Sequence, residues 1–275
     1  MRVTRRGFLK WAGGAVLGGA AGVGYVTKIE PEWLSVEQQI ISLPGLPAGL
    51  DGYKIVQLSD FHLYPFTAID LIEKTVARTN ELGPDLVVLT GDYVLETAAS
   101  IFDLAPELAK LNPRHGIFAV LGNHDHWTEA AVVKQGLAEQ GIELLHNRGV
   151  LLNESQFLLA GVDDLWSGTP DIESALADWR EGVPTILLAH EPDFADDFLG
   201  DGRIQLQLSG HTHGGQVRVP GVGPVVLPRY GQKYHNGLYQ VGPSQVYVNR
   251  GIGIIGPAVR LNCPPEITEF VLRAA

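Results

Sequence analysis

Two histidines, His211 and His213, stand one residue apart in "SGHTHGGQVRVP" (209–220), fenced by Gly210, Gly214 and Gly215. Histidine is the commonest metal ligand and the usual proton shuttle. Glycine lets a backbone turn sharply or approach another group closely. Alone, the pair fits a polar turn as well as a metal site. Four more segments carry the same kind of residue: Asp60 with His62, Asp92, Asn123-His124-Asp125, and His190. Asp60-x-His62 and His211-x-His213 share a spacing that puts both side chains on one side of an extended segment. The set holds five imidazoles, three carboxylates and one amide oxygen. One four-coordinate zinc would be overfilled by it. Two ions sharing a carboxylate would use it well. Nitrogen and oxygen ligands without thiolate point to Mn, Fe or Zn, as a divalent or mixed-valence pair. Two such ions about 3.5–4 Å apart form a clamp for in-line displacement at phosphorus.

The elements that must position these groups follow one pattern: an apolar run ends abruptly in polar residues. It occurs at 53–62, 85–92, 116–126, 185–193, 204–213 and 245–253. Near-continuous Val/Ile/Leu runs read as strands buried on both faces. Residues 68–82 place Ile69, Ile72 and Val76 on one helical face. Residues 128–141 predict a helix capped by Thr128 and stopped at Gly141, and 171–180 a shorter one. From about residue 205 the helices give way to strands and turns. The expected fold class is α/β, with two packed mixed β-sheets flanked by helices. Ligands in such folds gather beyond the carboxyl ends of the strands. Every polar cluster quoted above lies at such an end.

The series D-x-H, G-D, G-N-H-D, H and G-H-x-H resembles the calcineurin-like metallophosphoesterases, from about Tyr53 to Leu272. "GHTHGGQVRVP" and "NRGIG" (249–253) are similar to the bacterial, twin-arginine-exported phosphodiesterase branch of that family. The resemblance implies a four-layer α-β-β-α sandwich. It implies Asp60, His62 and His213 as ligands of one metal, Asp92 as the bridge, and Asn123, His190 and His211 as ligands of the other. It implies in-line attack by a metal-bound hydroxide, with His124 free of the metals and assisting the leaving group. Asp125 is assigned to the catalytic group beside it, supporting the ligands from behind. Two departures stand out: Asp125 replaces a common Glu, and "YVLE" follows Asp92 where the protein phosphatases carry V-D-R-G. An active-site arginine is therefore missing there, which argues against phosphoprotein substrates.

Several residues remain outside the motifs. Arg250 is a candidate phosphate contact, or else a structural ion pair; a forked guanidinium suits phosphate. Lys233, Tyr234 and His235 form a polar loop that could reach substrate. His115, His126, His146 and His235 read as surface or supporting residues, with His126-Trp127 as an exposed loop pair or else a lining of the substrate cleft. Trp33, Trp166 and Trp179 are explained by packing. Cys263 has no context that would activate a thiolate.

The chain has 275 residues, a formal charge of −11 and one cysteine. An acidic chain excludes the basic footprint expected of a nucleic-acid binder. One cysteine excludes an intrachain disulfide. Residues 1–26 combine Thr4-Arg5-Arg6-Gly7-Phe8-Leu9-Lys10 with a short apolar, glycine-rich stretch, Trp11 to Val26. This predicts a twin-arginine signal, cleaved or retained as an N-terminal anchor with membrane association. Residues 27–52 are a lead-in and 53–273 the metallophosphoesterase domain. The expected protein is extracytoplasmic: in the periplasm, in the cell wall or at the outer face of the membrane. Its partners are the twin-arginine export machinery and a small-molecule or lipid-linked phosphoester. Its expected activity is that of a phosphodiesterase or pyrophosphatase. A phosphomonoesterase and a non-catalytic exported metal-binding protein are the alternatives.

Overall fold

The computed structural model describes residues 19–152 and 156–274. Thr4–Lys10 and the first part of the apolar stretch therefore lie outside the described residues. Among those described, no helix is long and apolar enough to cross a membrane.

Two six-stranded sheets form the molecule's centre. The first contains β1 (Ser35–Leu43), β2 (Lys54–Leu58), β3 (Leu86–Thr90), β4 (Ile117–Val120), β5 (Glu143–Leu144) and, last in the chain, β14 (Glu266–Ala274). The second contains β6 (Arg148–Leu152), β7 (Phe157–Gly161), β8 (Thr185–Leu188), β9 (Leu206–Ser209), β12 (Gly237–Val241) and β13 (Ser244–Val248). Between β9 and β12 in the chain lies a separate ribbon of β10 (Arg218–Val219) and β11 (Gly223–Pro224). The first sheet runs β1-β14-β2-β3-β4-β5, and the second β12-β13-β9-β8-β7-β6. The four strands β2 to β5 are parallel, as are β7, β8, β9 and β13.

Alternation along each strand explains the unbroken apolar runs. Leu86 and Val88 face the layer between the sheets, with Ile186, Leu188, Leu206 and Leu208 opposite. Val87 and Leu89 point the other way, onto Ile72, Val76, Leu104 and Leu137. These last belong to the helices Ile69–Glu81, Ile101–Leu108 and Ala130–Glu139. Outside the second sheet, Leu187 and Ala189 pack with Ala175, Ala195 and Leu199. Both faces of both sheets are thus covered, in four layers.

The structure departs from the sequence reading in several places. The helix expected over 128–141 is Ala130–Glu139, preceded by a separate short helix, Asn123–Thr128, across an extended Glu129 (φ −159°, ψ 91°). Of the helix expected over 171–180 only Ile172–Ala175 forms. Thr128 caps nothing forward; its hydroxyl donates back to the carbonyls of His124 and Asp125. The helix Ile101–Leu108 went unread because it is short and contains Pro106. Residues 27–52 include β1, a full edge strand running parallel to β14.

Leu188 is fully buried between the sheets. Leu188→Ala should cost about 2–5 kcal/mol of stability in urea denaturation. A loss within error of zero would mean that the inter-sheet layer can collapse around the void.

Candidate metal centre

The strands end side by side, and the chain turns left-handed as it leaves them. Asp60, His62, Asp92, His211 and His213 all have φ between 43° and 72°. Non-glycine residues avoid this region, and such outliers cluster at functional sites. Here each one bends a side chain back over the strand ends instead of letting it run outward. The turns are stitched to one another by backbone bonds. Asp60 N–H donates to Gly91 O, His62 N–H to Asp92 O, and Gly253 N–H to Asp60 O. Two glycines permit the close approach. A Cβ at Gly122 would strike the Asp92 carboxylate, and one at Gly210 would strike Ser59 and the Asp60 carboxylate.

Three groups of ligand atoms result, each within 4.8 Å of one another: Asp60/His62/His213, His62/Asp92/His124 and Asp92/His190/His211. Asp92 Oδ2 lies 3.4 Å from His62 Nε2 and 3.2 Å from His190 Nε2, on the seam between them. Asp60 Oδ1 lies 3.5 Å from His213 Nε2. All seven residues expected as ligands are buried, and the structure brings them to one place. His124 is half-buried beside them, its ring 4.7 Å from that of His62 and 4.8 Å from that of Trp127.

The donor atoms fit cations. His190 Nδ1 donates to Thr90 O (2.6 Å) and His211 Nε2 to Arg229 O (2.8 Å), which turns His190 Nε2 and His211 Nδ1 toward each other at 3.2 Å. Two facing ring nitrogens need a proton or a cation between them. Asn123 Oδ1 and His62 Nε2 are buried with no hydrogen-bond partner among the described residues. Buried polar atoms left unpaired are costly, and a metal would engage them.

Charge balance points the same way. Burial pushes Asp60 up to about 6, opposed by His190 and reinforced by Asp92. Burial pulls His62 and His211 down to about 3, with His190 adding to the effect on both. Burial also works against charge on Asp92 and His190, but their mutual attraction outweighs it. Asp92 is held well below the usual carboxylate range and His190 well above the usual imidazole range. His62 and His211 therefore stand as neutral ligands at pH 7.

Asp125 does not face this pocket. Its two oxygens accept the N–H groups of Gly122, Asp92, Tyr93 and Val94. It is a positioning residue that fixes the loop carrying Asp92, and this corrects its grouping with His124. Arg250 is corrected too. Its guanidinium pairs with Glu266 (2.8 Å) and Glu37 (2.6 Å), so it clamps β1 to β14 instead of meeting phosphate. Lys233 and Tyr234 are likewise engaged, by Asp196.

The pocket over the ligands is about 140 Å³ and is walled by Trp127, Trp166, Pro228 and Ile255. The tryptophans read as packing or as an exposed pair are this wall, edge to face at 4.9 Å. Trp166 is held by Glu191, next to His190, whose carboxylate accepts the N–H groups of Leu165 and Trp166. His126 and His146 both reach Asp163, which also accepts Thr169 N–H in the same loop. A further support had no sequence signal at all. Arg260 is fully buried and donates to the carbonyls of Arg250, Gly251, Gly253 and Cys263, fixing the loop that bonds Asp60.

The calcineurin-like phosphoesterase model matches residues 53–215, which contain all seven expected ligands together with His124 and Asp125. The chain belongs to the calcineurin-like phosphoesterases. It is 38% identical to the Bacillus subtilis metallophosphoesterase YkuE, with 99% of both chains aligned. It is 34% identical to the Escherichia coli phosphodiesterase YaeI over 98% of this chain and 99% of that one. Among solved structures, TT1561 of Thermus thermophilus shares the fold, with a TM-score of 0.52 at 15% identity. That match covers 73% of this chain and 90% of that one. The metallophosphoesterase family and the residue clusters together identify a phosphoester hydrolase with divalent-metal ligands.

Asp125→Asn would place an amide NH₂ against backbone donors and loosen the Asp92 loop. Affinity for Mn²⁺, measured by titration calorimetry, should fall about 10–100-fold. Unchanged affinity would show that Asp125 does not hold the loop.

Proposed function

We propose that this protein is a dinuclear, metal-dependent phosphodiesterase. The observation that carries the reading is Asp92, whose one carboxylate belongs to two ligand groups at once. Asp60, His62 and His213 would hold one ion with Asp92; Asn123, His190 and His211 would hold the other. Bound there, two divalent ions, Mn, Fe or Zn, would polarise the phosphoryl oxygens and activate a water for in-line attack.

The chain's own residues supply the rest. His124 faces the pocket with its backbone N–H donating to Asp92 Oδ1, which sets the ring's position relative to the bridge. Its imidazole would protonate the leaving ester oxygen. Trp127 packs on that ring and limits its rotation. Trp166, Pro228 and Ile255 offer an apolar wall to the second substituent of a diester, which a monoester lacks. That the Escherichia coli relative YaeI is a phosphodiesterase supports the same class. We propose further that the chain is exported by the twin-arginine route and acts outside the cytoplasm, on a small or lipid-linked diester or pyrophosphate.

Bis(p-nitrophenyl) phosphate with Mn-reconstituted protein tests the reading. The parent should turn over and lose activity in chelator. Asp92→Asn should lose both activity and metal. His124→Ala should keep its metal and lose about 10²–10⁴ in turnover. Full activity in His124→Ala would remove that residue from the mechanism. No turnover by a metal-loaded parent would reject the diesterase in favour of a monoesterase or a binding protein.

A further inference from the structure

The ribbon of β10 and β11 belongs to neither sheet. It carries Val219, Val222, Val225 and Val226 at 39%, 78%, 59% and 73% exposure. Residues 219–228 contain no charged side chain, and arginines stand at both ends; Arg218 is half-buried with its guanidinium donating to Gly214 O (2.7 Å). Arg229 is exposed, with its guanidinium over the Tyr230 ring at 4.4 Å. Four exposed valines on one projecting turn are an apolar patch that a freely soluble surface avoids.

The ribbon is fixed, and what it is fixed to matters. Arg218 N–H donates to Leu261 O, Leu261 N–H to Gln216 O, and Val225 N–H to Val217 O. At the next residue, Arg260 N–H donates to Val26 O. The apolar N-terminal stretch therefore runs into the same corner, where Val23 and Ile29 are 62% and 56% exposed. On its other side the ribbon leads into the metal pocket: Pro228 lines it, and Arg229 O accepts the His211 ring N–H.

We infer that the valine ribbon inserts into the surface of a lipid bilayer, with Arg229 at headgroup depth. Apolar side chains entering the acyl boundary beside a cation is how interfacial segments bind. The apolar N-terminal stretch that enters the same corner, with Val23 and Ile29 exposed beside it, selects the bilayer over a second copy of this chain. The contact lies one residue from the pocket wall, so it seats the metal centre at the level of lipid phosphates. Insertion itself is independent of the phosphoesterase reading; a lipid-borne substrate rests on it.

The test uses the full chain with an environment-sensitive NBD dye on Val222→Cys, Cys263 being fully buried. A second protein carries the dye on Glu139→Cys, an exposed position on the helix Ala130–Glu139. With phosphatidylglycerol/phosphatidylcholine vesicles, the dye at 222 should shift to the blue and be quenched by bilayer-embedded quenchers, and the dye at 139 should not. Quenching from within the bilayer separates insertion of the ribbon from mere proximity conferred by the N-terminal stretch. Val222→Glu/Val226→Glu should weaken vesicle binding at least about tenfold while leaving turnover of bis(p-nitrophenyl) phosphate unchanged. A dye at 222 that stays in water on vesicle-bound protein overturns the inference. So does a dye that becomes buried with protein concentration and without lipid, which would assign the ribbon to self-association. Soluble-diester turnover reads the catalytic proposal separately.

Discussion

The Asp92 carboxylate is the interaction on which the arrangement depends. It is buried, it faces His62 on one side and His190 on the other, and its second oxygen accepts the His124 N–H. A carboxylate in that position is stable only with positive charge nearby. The chain alone answers this with a proton on His190, pulled up against its own burial. Cations shared with Asp60 and the neutral imidazoles would answer it more fully. The unpaired Asn123 oxygen and His62 nitrogen are consistent with that second answer, since a proton on His190 does nothing for them.

Holding the ligands this close has a backbone cost. Five non-glycine residues in left-handed conformation cost on the order of 1–3 kcal/mol each. The surrounding bonds over-determine them. Asp125 takes up four N–H groups of the Asp92 and Asn123 turns, and Arg260 gathers four carbonyls around the Asp60 loop. Buried side chains engaged this many times are rigid supports, because shifting either would leave several polar groups unpaired. These two supports hold the strained turns in place.

The parts legible in the sequence were those with a local cause. Strands buried on both faces must be apolar throughout, so β2, β3, β4, β8, β9 and β13 announced themselves, and the residues at their ends named the site. The parts that were not legible arise between distant segments. Nothing around Ser35–Leu43 tells that it will pair with residues 266–274. Arg250 looks free for phosphate until Glu37 and Glu266 arrive from those same two strands. Trp166 looks like core because nothing nearby discloses that Glu191, from another strand end, turns its loop toward the pocket. The break at Glu129 lacks any Gly or Pro signal.

The ligands are divided between the sheets, and that division ties packing to chemistry. Asp60, His62, Asp92 and Asn123 follow strands of the first sheet, whereas His190, His211 and His213 follow strands of the second. Their separations are therefore set by how the two sheets meet. At that seam Gln57 reaches from β2 to both Thr90 Oγ1 and Ser209 O, and Asp60 accepts the His211 N–H. A cation bound by Asp92 with His190 and His211 would join the two sheets directly, so its binding energy adds to the cohesion of the inter-sheet layer. Conversely, loosening that layer moves one half of the ligand set relative to the other. Core and site are in this sense one structure: the apolar packing between the sheets fixes the distances that the chemistry at their ends requires.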